Sequence, residues 1–473
     1  EKYDFLKSFD LMTNVGIRPN QMHAEFPKEW SAGGLRDWEG TDWVCPSIPE
    51  ARKALLEQWQ QQFENLAKHD VLRYYAGDAG GCRDERCKPW GKSFVFLCED
   101  ISNIVLKKYP NLSILIANQD LTSEGDLAIF DYLSEKPRTW LYGLCYGPGC
   151  NAMSWYFRGK LRDDLFEYPG YGWMNRYMAE TLNNLPKEQK IVNFSDITHW
   201  ISAQYHVENP ERNIAKSYGR RTLHTRPQFF YKLFQAIMPF SQGDILYTEG
   251  YHDHFHQYFW YRLLWNPHQE MRTVVREYCR IYFGDAAADM MVEAIIQLEE
   301  NIELPLATNA GVDRYYALVK EAGRSIPEHL LQKNHLWRLY MQKAALDKYI
   351  QLKLQRELFK EERVRQLLQR AIETDEVNSA ISQSLLILAE PAETPIMAIY
   401  RDEADKLGIE SEKLFAVRNV GYFKLEQPLR DLPTLIDTLK KAKASSLKSE
   451  QKELLQSAIK VTQMKTDYGR VYW

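Results

Sequence analysis

Apolar and polar positions follow two regimes along this chain. Through roughly the first 250 residues, short apolar runs of strand character take turns with longer segments of helical period. "EKYDFLKSFDLMTNV" reads as a helix and "GIRPNQM" (16–22) as a strand. A helix follows in "CPSIPEARKALLEQWQQQFENL", with Ser47 placed to cap it and Pro49 in its first turn. The apolar run "VLRYYAG" (71–77) is a strand, which Gly77-Asp78 breaks. "SFVFLCEDISNIVLKKYP" then reads as a helix, "LSILIAN" as a strand, "EGDLAIFDYLSE" as a helix and "TWLYGLCYG" as a strand. After the helical "WMNRYMAETLNNL" come the strand "KIVNFSD", a helix around "PQFFYKLFQAIM" and the strand "DILYTEG".

From "YFWYRLLWNPHQEMRTVVREYCRIYFG" onward the period is 3.6, with Leu, Ile and Ala stripes against Lys, Glu and Gln faces. Its charge runs, such as "KEERVRQ", read as solvated helix faces. Strands separated by helices imply βαβ units and a parallel sheet, and so many in succession favour a (β/α)8 barrel over an open doubly wound sheet. No glycine-rich dinucleotide fingerprint argues otherwise, and no cofactor is expected. About six strands are legible where closure needs eight. The reading therefore makes 16–22 the third strand, 71–77 the fourth and 244–248 the eighth, with the first two lacking. It divides the chain into a catalytic barrel over 1–269 and a helical region over 270–473.

Composition changes this picture in two places. The chain has 473 residues and a net charge of −4, which gives no electrostatic reason to expect a nucleic-acid partner. Its 28 Tyr, 13 Trp and 20 Phe are more informative, because many fall beside strand ends, where flat ligands stack; a large core accounts for such rings equally well. No apolar run approaches the ~20 residues that cross a bilayer. The chain opens at Glu1 without an initiator Met or a leader, so something removed upstream is expected, with a lean to a periplasmic or secreted setting. Of the seven cysteines, Cys82 with Cys87 and Cys145 with Cys150 are close enough to pair or to bind metal. A four-thiolate zinc site usually has tighter C-x-x-C pairs, so buried thiols or a loop disulfide are preferred.

In a barrel the chemistry gathers at the carboxyl ends of the strands. Those ends offer His23 and Glu25, then Asp78, then Asn118, Gln119 and Asp120, then Tyr142 and Tyr146. Asp196, His199 and Trp200 follow the next strand, and Tyr247, Glu249, His252 and Asp253 belong to the last. Carboxylates and amides hydrogen-bond hydroxyls in pairs, and aromatic faces cover the apolar faces of a sugar, so an oligosaccharide or polysaccharide is the expected substrate. Trp90, Tyr142 and Tyr146 are the expected stacking or rim residues. Glycosidic cleavage needs one carboxyl group to protonate the leaving oxygen and another at the anomeric centre. Asp78 and Glu249, each after an apolar strand, are the candidates; a helix cap or structural ion pair is the ordinary alternative. His252, His254 and His256 alternate in "YHDHFHQ", but helical geometry spreads them over different faces, against metal ligation.

"GIRPNQMHAEFP", "CPSIPEARKALLEQWQQQFENL" and "LRYYAGDAGG", taken in order, resemble the third-to-fourth-strand unit of family 20 β-N-acetylhexosaminidases. "DILYTEGYHD" followed by "YFWYRLLWNP" is similar to that family's eighth strand and the helix after it. The resemblance covers about residues 1–285; α-glucuronidases with a helical C-terminal region share parts of the plan. It implies a retaining, substrate-assisted glycosidase in which Asp78 orients the 2-acetamido group and Glu249 binds sugar hydroxyls. Ala79 stands where the family has its general acid, and Tyr247 where it has Trp. Either another carboxyl group supplies the proton, with Glu249, Glu25 and Asp120 as candidates, or the specificity and mechanism differ from those of a hexosaminidase. A non-catalytic glycan-binding domain and a thiolate-metal hydrolase are the alternatives.

Overall fold

The computed structural model describes residues 2–34, 42–66, 69–77, 81–118, 121–146, 181–198, 223, 225–248, 254–302, 304–415 and 428–463. They form two compact units, one of residues 1–197 with 232–247 and one of residues 198–231 with 248–473. The first begins with α1 (Lys2–Lys7) and β1 (Asn14–Ile17). Next come α2 (Pro49–Glu64), β2 (Val71–Tyr75), α3 (Trp90–Lys108), β3 (Ser113–Ala117), α4 (Ser123–Glu135) and β4 (Gly143–Tyr146). After β5 (Lys190–Asn193) and β6 (Asp196–Thr198) follow α5 (Pro227–Ile237) and β7 (Tyr247–Thr248).

Strands β1 to β5 form one sheet in sequence order, and every neighbouring pair is parallel. Successive side chains of a strand face opposite sides. Leu72, Tyr74, Ile114, Ile116 and Leu144 therefore enter the core with Leu55, Trp59, Phe94, Val95 and Ile101 of α2 and α3. Val71, Leu115, Ala117, Cys145 and Phe194 form a smaller cluster of their own. Residues 241–247 lie alongside β5 and run the same way. Asn193 and Asp244 form a parallel bridge, and the Ile245 and Tyr247 amides donate to the carbonyls of Asn193 (2.8 Å) and Ser195 (2.7 Å). β6 and β7 pair as a separate two-stranded sheet.

The expected (β/α)8 barrel, lacking its first two strands, is overturned. The described residues form a five-stranded parallel sheet and a two-stranded one, without eight strands or a closed ring. Alternating strand and helix periods dictate parallel βαβ units, and an open sheet satisfies them as well as a barrel does. The first strand is also displaced from 16–22 to Asn14–Ile17, ending before Arg18 and Pro19, where proline has no N–H for the ladder. Ser47 does not cap α2. Ile48 is the N-cap residue without a side-chain bond, and the Ser47 hydroxyl sits 2.9 Å from the Cys87 sulfur instead.

The second unit continues with α6 (His254–Trp265), α7 (Met271–Phe283), α8 (Asp285–Asn301), α9 (Gly311–Ser325) and α10 (Glu328–Lys333). It ends with α11 (Leu336–Thr374), α12 (Val377–Ala389), α13 (Pro395–Phe415), α14 (Leu432–Ala444) and α15 (Lys448–Gln463). The 39-residue α11 carries two separate clusters. Ala345, Leu346, Ile350 and Leu354 pack with Leu306, Val312, Met397 and Ala404. Val364, Leu368 and Ala371 pack with Ile381, Leu435, Leu439 and Leu455. Two of its buried polar side chains are paired: Lys343 Nζ lies 2.5 Å from Asp347, and the Gln351 amide donates to the carbonyls of Leu306 and Asn309. None of the described helices is long and apolar enough to cross a membrane.

Helices α3 and α4 meet at two glycines, and only one of them is there for want of space. A methyl group on Gly91 would overlap the Gly125 backbone carbonyl, whereas one on Gly125 would make ordinary contacts with Leu121 and the Gly91 amide at 3.4–3.5 Å. Gly91→Ala is expected to lower stability by about 1–3 kcal/mol, the usual cost of overpacking. Gly125→Ala should stay within about 1 kcal/mol of the parent, since helix propensity favours Ala. Thermal or urea unfolding of the two variants side by side checks the asymmetry.

Candidate active site

Parallel pairing puts the carboxyl ends of β1 to β5 on one edge of the sheet, the edge on which open α/β sheets carry their ligands. Beneath it, Arg73 stands in mid-strand on β2, opposite Gly16 and Leu115. Only 6% exposed, its guanidinium lies 4.5 Å from the ring centres of both Tyr75 and Phe194. Arg73 Nη2 donates to the Tyr75 hydroxyl, Nη1 is 3.9 Å from the Cys145 sulfur, and Nε has no partner. Among the described residues no carboxylate pairs with it. Burial raises the Tyr75 hydroxyl pKa against the pull of Arg73, and it pushes the Cys145 thiol up to about 11.

Asp244 fastens the returning segment to β5. Its carboxylate accepts from the Ser195 hydroxyl at 2.5 Å and from the Asn193 amide at 2.9 Å. A carboxylate bound so closely inside the sheet serves to hold strands together. Tyr247, half-buried, sets its ring edge-on to Phe194 at 5.9 Å, which places one expected sugar-binding residue beside the ring that covers Arg73.

The other expected residues are scattered. Asn118 is buried just past β3, where its amide donates to Asp126 at 3.0 Å. Trp90 is not a rim residue: it is buried at the start of α3, and its indole N–H donates to the Ala76 carbonyl at 2.5 Å. Tyr142 is exposed but precedes β4, so it stands at the amino edge, with its amide on the Ile114 carbonyl. The turn formed by Leu141 N–H on the Arg138 carbonyl delays the strand, which is why Tyr142 misses the carboxyl edge. His23 and Glu25 are exposed; the His23 amide donates to Gln58 at 2.7 Å and its ring meets Trp59 edge-on. Tyr146 closes β4 and Asp196 opens β6. Asp78, Asp120, His199, Glu249, His252 and Asp253 lie outside the described residues.

Arg73, Asn193, Ser195 and Asp244 were not among the expected site residues. Arg73 carried a signal, a charge in the middle of the apolar run "VLRYY". The histidine run resolves as helical geometry requires: His254 packs against Tyr278 and Tyr282, while His256 is buried and accepts the Arg226 amide at 2.9 Å on Nε2. No protein-family model matches the chain, and no curated protein matches it.

Two expectations follow. Trp90→Phe removes the N–H that holds Ala76 and leaves a space where the larger indole packed, and should lower stability by about 1–3 kcal/mol in denaturant unfolding. Burial lowers the His256 pKa from its ordinary 6.5 to about 3. Below pH 6.5 the unfolded chain then binds a proton that the folded chain does not. This contribution to stability is complete above that pH and is lost progressively as pH falls toward 3. The thermal midpoint of His256→Gln should therefore fall less steeply with acidification than that of the parent; parallel curves would show that His256 titrates normally in the fold.

Proposed function

We propose that this protein is a glycoside hydrolase acting on a glycan, with Asp78 and Glu249 as its principal carboxyl groups. The supporting observation is the shared direction of the strands. Asp78 comes shortly after β2, Asp120 shortly after β3, and Glu249 directly after β7 in the sequence. Strands β1 to β5 run parallel, and the positions that follow such strands are those from which open sheets carry ligands, whereas Glu249 follows the separate two-stranded sheet and enters the proposal through the resemblance. Carboxyl groups, the buried Asn118 amide and the rings of Tyr247 and Phe194 make a set suited to hydroxyl groups and sugar faces. A retaining mechanism assisted by an N-acetyl group remains the form of this proposal that Asp78 serves best, because a carboxylate orients and charges the acetamido nucleophile. Asp78→Asn is expected to reduce turnover on the best of a panel of chromogenic N-acetylglucosaminides, galactosides and glucuronides by roughly 10²–10⁴-fold, with little change in thermal midpoint. No activity across the panel, or equal activity in the variant, would overturn the assignment.

The role of Glu249 separates by leaving group. As general acid, Glu249→Gln should slow natural oligosaccharides severely and spare an activated aryl glycoside, which departs without protonation. As a hydroxyl ligand, it should cost both substrates a similar factor in kcat/KM. A second reading, hydrolysis of an acidic glycan, draws its support from Arg73. A buried guanidinium without a carboxylate partner among the described residues favours a substrate that brings one. Under this reading the glucuronide leads the panel, and Arg73→Met raises its KM selectively.

A further inference from the structure

Cys45 converges with Cys82 and Cys87, which lie in the loop between β2 and α3. Cys45 precedes α2, and all three are buried to 2% exposure or less. Their sulfur atoms lie within 4.8 Å of one another, with Cys45 and Cys87 at 3.6 Å. A disulfide requires about 2.05 Å. Four ligands placed tetrahedrally at a zinc–sulfur distance of 2.3 Å stand about 3.8 Å apart, close to the spacing here.

The surroundings are those of bound thiolates. Ser47 stands two residues after Cys45 and Asp84 two residues after Cys82, so polar backbone and side-chain groups flank the sulfurs. The Ser47 hydroxyl adds a further contact to Cys87 at 2.9 Å. The Arg86 guanidinium is within electrostatic reach of Cys45 and Cys87 and is held by Asp84 at 2.7 Å. Asp84, half-buried and two residues beyond Cys82, is the carboxylate that the chain places next to the cluster in sequence.

We propose that Cys45, Cys82 and Cys87 bind a structural zinc ion, with the Asp84 carboxylate as the candidate fourth ligand. Three thiolates suit a soft or borderline divalent cation, and their burial suits a structural ion rather than a catalytic one with an open coordination position. The ion would tie the loop after β1 to the loop after β2. These loops already meet through the Arg83 amide on the Ala32 carbonyl and the Asn20 side chain, which donates to the carbonyls of both Val44 and Gly81. The inference does not depend on the proposed glycosidase activity, since its readout is metal content and thiol chemistry.

The test uses the full chain purified without a metal-affinity step. Elemental analysis should find stoichiometric zinc, and Cys82→Ser and Cys87→Ser should each lose most of it. Cys98→Ala, which removes a buried thiol elsewhere in α3, should keep it. Because the serine variants can fail to fold, cobalt(II) reconstitution of the chelator-treated parent gives a second measurement, with a thiolate-to-cobalt charge-transfer band that zinc then displaces. A chelator-treated parent should also melt at a lower temperature, restored by zinc. The proposal falls if the protein is metal-free with two of the three cysteines in a disulfide, by mass and thiol titration. It falls equally if all three thiols are free and cobalt produces no charge-transfer band.

Discussion

Parallel pairing is the constraint from which most of the first unit follows. Two parallel strands cannot be joined by a tight turn, so each must return by a crossover long enough to hold a helix. That requirement puts α2, α3 and α4 between successive strands and covers the Leu72, Tyr74 and Ile116 side with helices. It also fixes which residues share an edge. With Gly16, Arg73, Leu115, Gly143 and Lys190 in one register, a displacement of any strand by one residue would turn its buried set to the other side. Gly143 secures one such register, because a side chain there would overlap the Lys190 backbone.

The side of the sheet away from the main helical core has a different chemistry. An arginine among Val71, Leu115 and Ala117 is expensive to bury, and two aromatic faces with a tyrosine hydroxyl offset only part of its lost hydration. Asp244 shows the contrasting solution, a carboxylate surrounded by donors from Asn193 and Ser195. The loops at the edge are held on several sides: Trp90 grips Ala76 just ahead of the break at Gly77, and Asn20 bridges Val44 and Gly81. Support of this kind fixes the segments on both sides of residues 78–80 before any ligand arrives.

Elements with a clear period were legible in the sequence. β2, β3, α2 and α4 fall within a few residues of where apolar spacing puts them, because one face of each is buried and the pattern records it. What a period does not record is how many neighbours a sheet has, and the barrel expectation failed on that point. Local chemistry displaces other elements: Pro19 ends β1 early, and the turn at Arg138–Leu141 moves Tyr142 to the amino edge. Trp90 looked like a ligand platform because a tryptophan beside a strand end gives no sign of whether its N–H meets a sugar or a carbonyl. Cys82 and Cys87 were visible as a pair, but Cys45 joins them only through tertiary folding, which no spacing rule reports. Asp244 was read as the start of a strand and its carboxylate went unnoticed for the same reason.

Helix α11 has a consequence of another kind. A rise of 1.5 Å per residue makes its 39 residues about 58 Å long, longer than one compact core can cover. Its two clusters share the rod but no described side chain, one gathered near Ile350 and the other near Leu368. Melting of the second cluster would unwind the last turns of α11 while leaving the first in place, so cooperativity breaks between them. Backbone amides on the two halves should then report different opening free energies in hydrogen exchange, although they belong to one uninterrupted helix.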